Sequence, residues 1–101
     1  MLYDTKQTPL FAKQFKKMHR NEQEIIVKEV ENLRANPATG EDLVGVLKGY
    51  KSIEIPRISG NFRLVFRVLN PEKLIHLIAV GPHRTIYGEA TRYVKETGLY
   101  R

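Results

Sequence analysis

A period of two runs through Phe62-Arg63-Leu64-Val65-Phe66-Arg67-Val68, where large apolar residues alternate with arginine or valine. Because successive side chains of a β-strand point to opposite faces, the four apolar residues at even positions share one face. The two arginines share the other face with a valine. The run therefore predicts a long strand with one face in the core and a basic opposite face.

Two further strands are predicted on either side of this run. Ser52-Ile53-Glu54-Ile55 alternates in the same way, and Leu74 to Val80 is apolar apart from one histidine, as expected of a central strand. The segments between them, Ser59-Gly60-Asn61 and Asn70-Pro71-Glu72-Lys73, have the composition of tight turns. The three strands are therefore predicted to form an antiparallel meander.

Two amphipathic helices are predicted in the first half of the chain. The first begins at Thr8-Pro9, because threonine caps a helix and proline suits its first position. The second begins with Asn21 as cap and Glu24 three residues on, and it ends at Asn36-Pro37. Their apolar stripes are Phe11, Phe15 and Met18, then Ile26, Val30 and Leu33. Since few residues join them, the helices are expected to pack as an antiparallel hairpin on one face of the sheet.

The remaining segments complete an α+β fold. Leu2-Tyr3-Asp4-Thr5 is predicted as a short N-terminal edge strand, and residues 38–49 as a connecting loop with three glycines. Thr85 to Thr97 is predicted as a short C-terminal helix with Gly98 as its C-cap. The N-terminal strand and helical hairpin thus pack on the meander, and the terminal helix follows it.

Length and composition limit the class of protein. A chain of 101 residues with 42% apolar residues is expected to form a single domain over residues 1–101. No window is long and apolar enough to span a membrane, and the first residues lack the pattern of a signal peptide. The absence of cysteine excludes disulfides and thiolate chemistry. We therefore expect a cytoplasmic protein.

Positive charge is concentrated in the second half. Residues 1–49 hold 8 Lys/Arg and 7 Asp/Glu, a net charge of +1, whereas residues 50–101 hold 9 and 4, a net charge of +5. Six of the nine cations in the second half are arginine, the side chain that binds phosphate through two parallel hydrogen bonds. A polyanion is therefore expected to bind the C-terminal half.

Candidate chemistry follows the last predicted strand, in Gly81-Pro82-His83-Arg84 and Tyr87. His83, placed in a loop, can exchange a proton near neutral pH and so act as general acid or base. Arg84 beside it would bring phosphate close to the imidazole. Tyr87 could stack on a base or donate a proton, although a tyrosine that anchors a helix to a sheet is equally common.

The other polar residues have plainer interpretations. Arg63 and Arg67 either bind a phosphate backbone on a sheet face that points away from the helices, or lie on a solvated face and pair with Glu54. His76 is expected to be a buried structural residue and His19 to be exposed. Three further lysines are expected on a solvated helix face: Lys13, Lys16 and Lys17. The histidines lack metal-ligand spacing, so we expect neither a metal nor a cofactor.

Together these residues resemble the RelE/ParE superfamily of toxins from toxin–antitoxin pairs. The resemblance covers nearly the whole chain, from the order of elements to three motifs. They are Leu47-Lys48-Gly49, Gly60-Asn61-Phe62-Arg63-Leu64-Val65-Phe66, and Val80-Gly81-Pro82-His83-Arg84 with Tyr87. The RelE branch, to which the chain is most similar, consists of small basic ribonucleases that cleave messenger RNA in the ribosomal A site. The resemblance implies a metal-independent endoribonuclease that inhibits translation.

The resemblance also implies roles for individual residues. The 2′-hydroxyl attacks the adjacent phosphate, which requires a base, an acid and cations. Arg63 matches the arginine that stabilises the phosphate, His83 or Arg84 the basic position after the last strand, and Tyr87 the C-terminal aromatic. RelE carries two lysines on its second strand, whereas this chain has Glu54 and Pro56. His83 therefore becomes the expected acid or base, with Glu54 as its rival, and Arg84 a second charge stabiliser. The residues expected to bind RNA are Arg57, Arg67, Lys48 and Lys51.

Two other functions remain open. A ParE-like toxin of the same fold would inhibit DNA gyrase through a protein interface and would cleave no RNA. A plain RNA- or ribosome-binding module would carry its acid–base groups incidentally. Either toxin is expected to bind a cognate acidic antitoxin in a hetero-oligomer, because an acidic chain neutralises a basic face.

Overall fold

The computed structural model describes residues 2–99, which form three α-helices and a five-stranded sheet. The helices are α1 (Pro9–Lys16), α2 (Arg20–Ala35) and α3 (His83–Thr97). The strands are β1 (Asp4–Gln7), β2 (Glu41–Asp42), β3 (Lys51–Glu54), β4 (Phe62–Leu69) and β5 (Leu74–Pro82). The predicted α+β class is confirmed. None of the helices within residues 2–99 is long and apolar enough to cross a membrane.

The sheet has the strand order β1-β5-β4-β3-β2. Strands β3, β4 and β5 are antiparallel neighbours, which confirms the predicted meander. β1 lies at the edge and pairs in parallel with β5, so the sheet is mixed. The edge strand predicted over residues 2–5 lies two residues later, at residues 4–7.

The segment 38–49, predicted to be a loop because of its three glycines, contains a short strand and a 3-10 turn. β2 adds a second edge beside β3, with Glu41 opposite Ser52 and Asp42 opposite Lys51. Gly40 permits this approach, because its φ is +111° and a Cβ there would lie 2.9 Å from the Ser52 carbonyl oxygen. A short 3-10 turn, Gly45–Leu47, then leads into β3. The prediction of a simple loop was therefore wrong.

The helix starts also differ from the predictions. α2 begins at Arg20, because the backbone N–H of His19 donates to Glu22 Oε1 at 3.0 Å and makes His19, not Asn21, the cap. α3 begins at His83 rather than Thr85, so His83 is the first helical residue and does not lie in a loop. The predicted C-cap is confirmed, since Gly98 has a φ of +76°.

Helices cover both faces of the sheet. On one face, α1 and α2 pack over Leu64, Phe66 and Leu77. On the other, α3 packs Ile86, Ala90 and Val94 over residues that include Val65 and Ala79. The arginine face therefore lies opposite the helical hairpin, as expected, but the expectation that it is open to solvent was wrong, because α3 packs on it.

Candidate active site

The first two turns of α3 bring an imidazole and a phenol together. His83 and Tyr87 are four residues apart on the helix, and their rings meet edge to face at 86° with centroids 5.3 Å apart. The His83 side chain is exposed, and its backbone N–H donates to the Asn61 carbonyl at 2.9 Å. That hydrogen bond fixes the start of α3 beside the start of β4.

The Tyr87 side chain is held by a serine, Ser52, that was not among the predicted site residues. The Tyr87 hydroxyl lies 3.1 Å from the Ser52 hydroxyl, within hydrogen-bonding distance. Ser52 is buried, with 1% of its surface exposed. The signal was present in the sequence, because Ser52 lies out of phase with Ile53 and Ile55 and must point away from their face.

Arg63 lies on the same face of the sheet. Its neighbours across the ladder are Glu54 on β3 and Gly81 on β5. The guanidinium Nη1, however, pairs with Glu41 Oε1 on β2 at 3.2 Å and not with the predicted partner Glu54. The side chain is only 17% exposed, and its buried Nε has no hydrogen-bond partner among residues 2–99. Because Nε is buried, an anion at this position would have to contact the Nη donors, one of which pairs with Glu41.

Arg67 shares this face but belongs to a different cluster. Its Nη1 donates to the Leu99 carbonyl at 3.3 Å, and its Cζ lies 5.2 Å from the ring centroid of Tyr50. The Tyr50 hydroxyl donates to the same carbonyl at 2.6 Å. Burial raises the pKa of Tyr50, against the opposing effect of Arg67. The Arg67 side chain thus contacts the residues that follow α3, at the opposite end of that helix from His83.

The remaining predicted site residues are dispersed. Lys51 opposes Phe66 on the face that α1 and α2 cover, and its Nζ pairs with Asp42 Oδ1 at 2.9 Å. It is thereby separated from Arg63. Four others are exposed and form no ion pair within residues 2–99: Lys48, Glu54, Arg57 and Arg84. Arg84 follows His83 directly, so it extends the positive charge at the start of α3.

The other two histidines behave differently from each other. His19 is exposed, as predicted. The prediction of a buried His76 was wrong, because it is half-buried, opposite Arg67 on β4 and Lys6 on β1. Partial burial, followed by the positive charges of Arg67 and Lys6, lowers the pKa of His76 below 6.5. The predicted solvated lysines are exposed: Lys13, Lys16 and Lys17.

In chemical terms, one face of the sheet and the start of α3 combine three kinds of group. An exposed imidazole touches a phenol, the phenol is held by a buried hydroxyl, and Arg63 on β4 lies opposite Gly81, two residues before His83. Such groups can transfer a proton and hold an anion. Among residues 2–99, no cluster of three or more His, Cys, Asp or Glu is arranged to hold a metal ion.

Comparison with known proteins identifies the family to which the sequence is similar. Residues 5–91 match the model of the family described as ParE-like toxins of type II bacterial toxin–antitoxin systems. No curated protein matches the chain in sequence.

Similar solved structures share the fold. A free-state mutant of E. coli toxin RelE has a TM-score of 0.75 at 22% identity, covering 93% of this chain and 99% of that one. The toxin–antitoxin complex RelBE2 of Mycobacterium tuberculosis gives 0.69 at 19% identity, with 82% and 100% covered. A YoeB/ParE toxin from Agrobacterium tumefaciens gives 0.67 at 22% identity, with 79% and 98% covered.

Proposed function

This chain belongs to the ParE-like toxins of type II bacterial toxin–antitoxin systems, and we propose that it inhibits translation by cleaving messenger RNA in the ribosomal A site. Membership of the toxin family confirms the resemblance to the RelE/ParE superfamily. The choice of RNA as target rests on the side chains at the start of α3. Cleavage on the ribosome would place the toxin in the cytoplasm.

The pair of His83 and Tyr87 carries the proposal. An exposed imidazole is the commonest general acid or base in proteins, and the edge-to-face contact with the Tyr87 ring holds the imidazole of His83 at the start of α3. The Ser52 hydroxyl restrains the phenol at 3.1 Å, which reduces the freedom of a group that has to be oriented for chemistry. A toxin that acts only by covering a protein surface needs none of these contacts.

The reaction follows from these groups. The 2′-hydroxyl of a nucleotide loses its proton to a base and attacks the adjacent phosphorus, forming a 2′,3′-cyclic phosphate. The bond to the 5′-oxygen of the next nucleotide breaks, and an acid returns a proton to that oxygen. His83 serves as the acid or base, and Tyr87 relays a proton or stacks on a base. Glu54, exposed and opposite Arg63 in the ladder, is the rival base.

The arginines have the second task, since negative charge builds on the phosphate oxygens during the attack. Arg63 on β4 would bind the phosphate through its Nη donors, of which Nη1 now contacts Glu41, and Arg84 adds an exposed cation next to His83. Arg57 and Lys48, both exposed, are free to contact the RNA backbone. Arg67, which contacts Tyr50 and Leu99 beyond the end of α3, and Lys51, which pairs with Asp42 on the opposite face, are assigned to structure in this proposal.

A cognate antitoxin completes the proposal. The similar structure from M. tuberculosis is a complex of a toxin with its antitoxin. The net charge of +5 in residues 50–101 favours an acidic partner, whose charge would neutralise the surface that binds RNA. The two chains would form a hetero-oligomer in which the toxin is inactive.

Inhibition of DNA gyrase is the second candidate, because the matching family carries the ParE name. The two targets are separated by incubating the toxin with translating ribosomes and, in parallel, with gyrase and plasmid DNA. New transcript ends that require ribosomes support the proposal. Intact transcripts with broken DNA would support the gyrase alternative, and neither change would point to a binding module.

A further inference from the structure

The ion pair of Arg63 has a partner that the proposed reaction does not use. Glu41 comes from β2, a strand of only two residues at the edge of the sheet, and its carboxylate contacts the Arg63 guanidinium at 3.2 Å. Glu41 opposes Ser52 in the ladder, so both lie on the face where α3 packs. A carboxylate of the protein thus contacts the arginine that is proposed to bind phosphate.

The contact has the features of an exchangeable pair. It consists of one N–O contact between Nη1 and Oε1, whereas a full arginine–carboxylate pair makes two parallel hydrogen bonds. The Glu41 side chain is 73% exposed, which means that water screens the attraction. The Arg63 Nε is buried and has no hydrogen-bond partner among residues 2–99. The Arg63 side chain is therefore largely enclosed by the fold, at 17% exposed, while the Glu41 carboxylate that contacts it is exposed and weakly held.

Carboxylate and phosphate compete for guanidinium because both present two oxygens to the same fork of donors. We propose that the Glu41 carboxylate occupies, in the resting protein, the place on Arg63 that an RNA phosphate takes, and that Glu41 thereby sets the affinity of the site for RNA. This inference rests on the proposed function, in which Arg63 binds the reacting phosphate.

The backbone around Glu41 supports such an exchange. Gly40 precedes it with a φ of +111°, and β2 pairs with β3 through Glu41 and Asp42 alone. The Leu43 N–H donates to the Tyr50 carbonyl at 3.0 Å, which holds the end of this short segment. The side chain can thus leave Arg63 without the backbone of a long strand having to move.

Asp42 provides a matched control. It is the next residue of the same strand and also forms an ion pair, but with Lys51 on the opposite face of the sheet. Asp42→Asn and Glu41→Gln remove the same charge from adjacent positions. A difference between them therefore measures contact with Arg63 and not the net charge of the toxin.

The test measures binding of a fluorescent single-stranded RNA whose 2′-hydroxyls are methylated, so that binding is read without cleavage. Glu41→Gln is expected to bind roughly two- to fivefold more tightly than the unchanged protein, the range for an exposed ion pair. Asp42→Asn is expected to show a smaller gain. In an Arg63→Gln background the gain from Glu41→Gln should disappear, since the competition needs both partners.

Equal gains in Glu41→Gln and Asp42→Asn would overturn the inference, as would a gain that persists without Arg63 or RNA binding that no variant improves. The outcome is independent of whether the toxin cleaves RNA on ribosomes. Absence of cleavage by the unchanged protein would instead contradict the proposed function, so the two failures can be distinguished.

Discussion

The Tyr87 hydroxyl on α3 lies 3.1 Å from the buried Ser52 hydroxyl on β3 and joins the helix that carries His83 to the sheet. Tyr87 also touches the His83 ring, so Ser52 acts on the imidazole through the phenol. This connection links the proposed proton-transfer pair to the rigid part of the fold. Its energetic contribution can be measured with conservative substitutions.

Replacement of Ser52 by alanine is expected to slow transcript cleavage about fivefold, the factor that corresponds to the net free energy of one hydrogen bond. Tyr87→Phe should lose at least as much, and Ser52→Ala should add little to it, because both changes break the same bond. Ser59→Ala, in an exposed turn, is the control. Additive losses in the double variant would show that Ser52 does not act through Tyr87.

His83→Ala is expected to reduce the cleavage rate by about 100-fold or more, the usual effect of removing a general acid or base. The matched control is His19→Ala, since His19 is also exposed but caps α2 through its backbone and not its ring. Single-turnover cleavage on stalled ribosomes measures both. A rate unchanged in His83→Ala would leave Glu54 as the candidate base, and Glu54→Gln would then be decisive.

The lowered pKa of His76 makes stability depend on pH. A histidine whose pKa is lower in the folded than in the unfolded state binds its proton more weakly when folded. The free energy of unfolding should therefore fall as the pH drops from about 6.5. Urea titrations between pH 7.5 and 5 should show this loss, and His76→Gln should reduce it.

Substitution of Arg67 tests whether its positive charge helps to lower the pKa of His76. Arg67→Gln removes one of the positive charges that lower the pKa of His76, so an NMR titration should show this pKa closer to 6.5. A pKa of His76 that stays unchanged would mean that burial and Lys6 lower it without a contribution from Arg67.

The hydrogen bond from Tyr50 to Leu99 predicts a loss of stability. Tyr50→Phe removes a buried donor at 2.6 Å and should lower the free energy of unfolding by about 1 kcal/mol. The loss stays moderate because Arg67 also donates to the Leu99 carbonyl. Tyr93→Phe, which alters a half-buried tyrosine packed on the same core cluster, is the control and should change little. Equal effects in chemical denaturation would contradict this assignment.

Alternation along the chain predicted the central fold well. The pattern from Phe62 to Val68 placed Leu64 and Phe66 in the core under the helical hairpin, where they lie. Local pattern could not place β2, because two polar residues, Glu41 and Asp42, show no periodicity and are held by pairing with β3. The parallel pairing of β1 with β5 likewise depends on contacts distant in sequence.

The site was predictable in its residue types but not in its pairings. His83 and Tyr87 follow from helical spacing, and the structure brings their rings together. The sequence offered Glu54 as the partner of Arg63, yet the ion pair is formed with Glu41, which lay within the predicted loop. Side-chain partners across a sheet depend on register and edge strands, which single-strand periodicity does not define.

The chemistry of the transcript ends tests RNA cleavage most directly. Messenger RNA from ribosomes treated with the toxin should end in a 2′,3′-cyclic phosphate, with a 5′-hydroxyl on the downstream fragment, because the 2′-hydroxyl is the attacking group. These ends should form about 100-fold more slowly with His83→Ala and at an unchanged rate with His19→Ala. Intact transcripts with the unchanged toxin, or fragments that carry a 5′-phosphate and a 3′-hydroxyl, would contradict the proposed reaction.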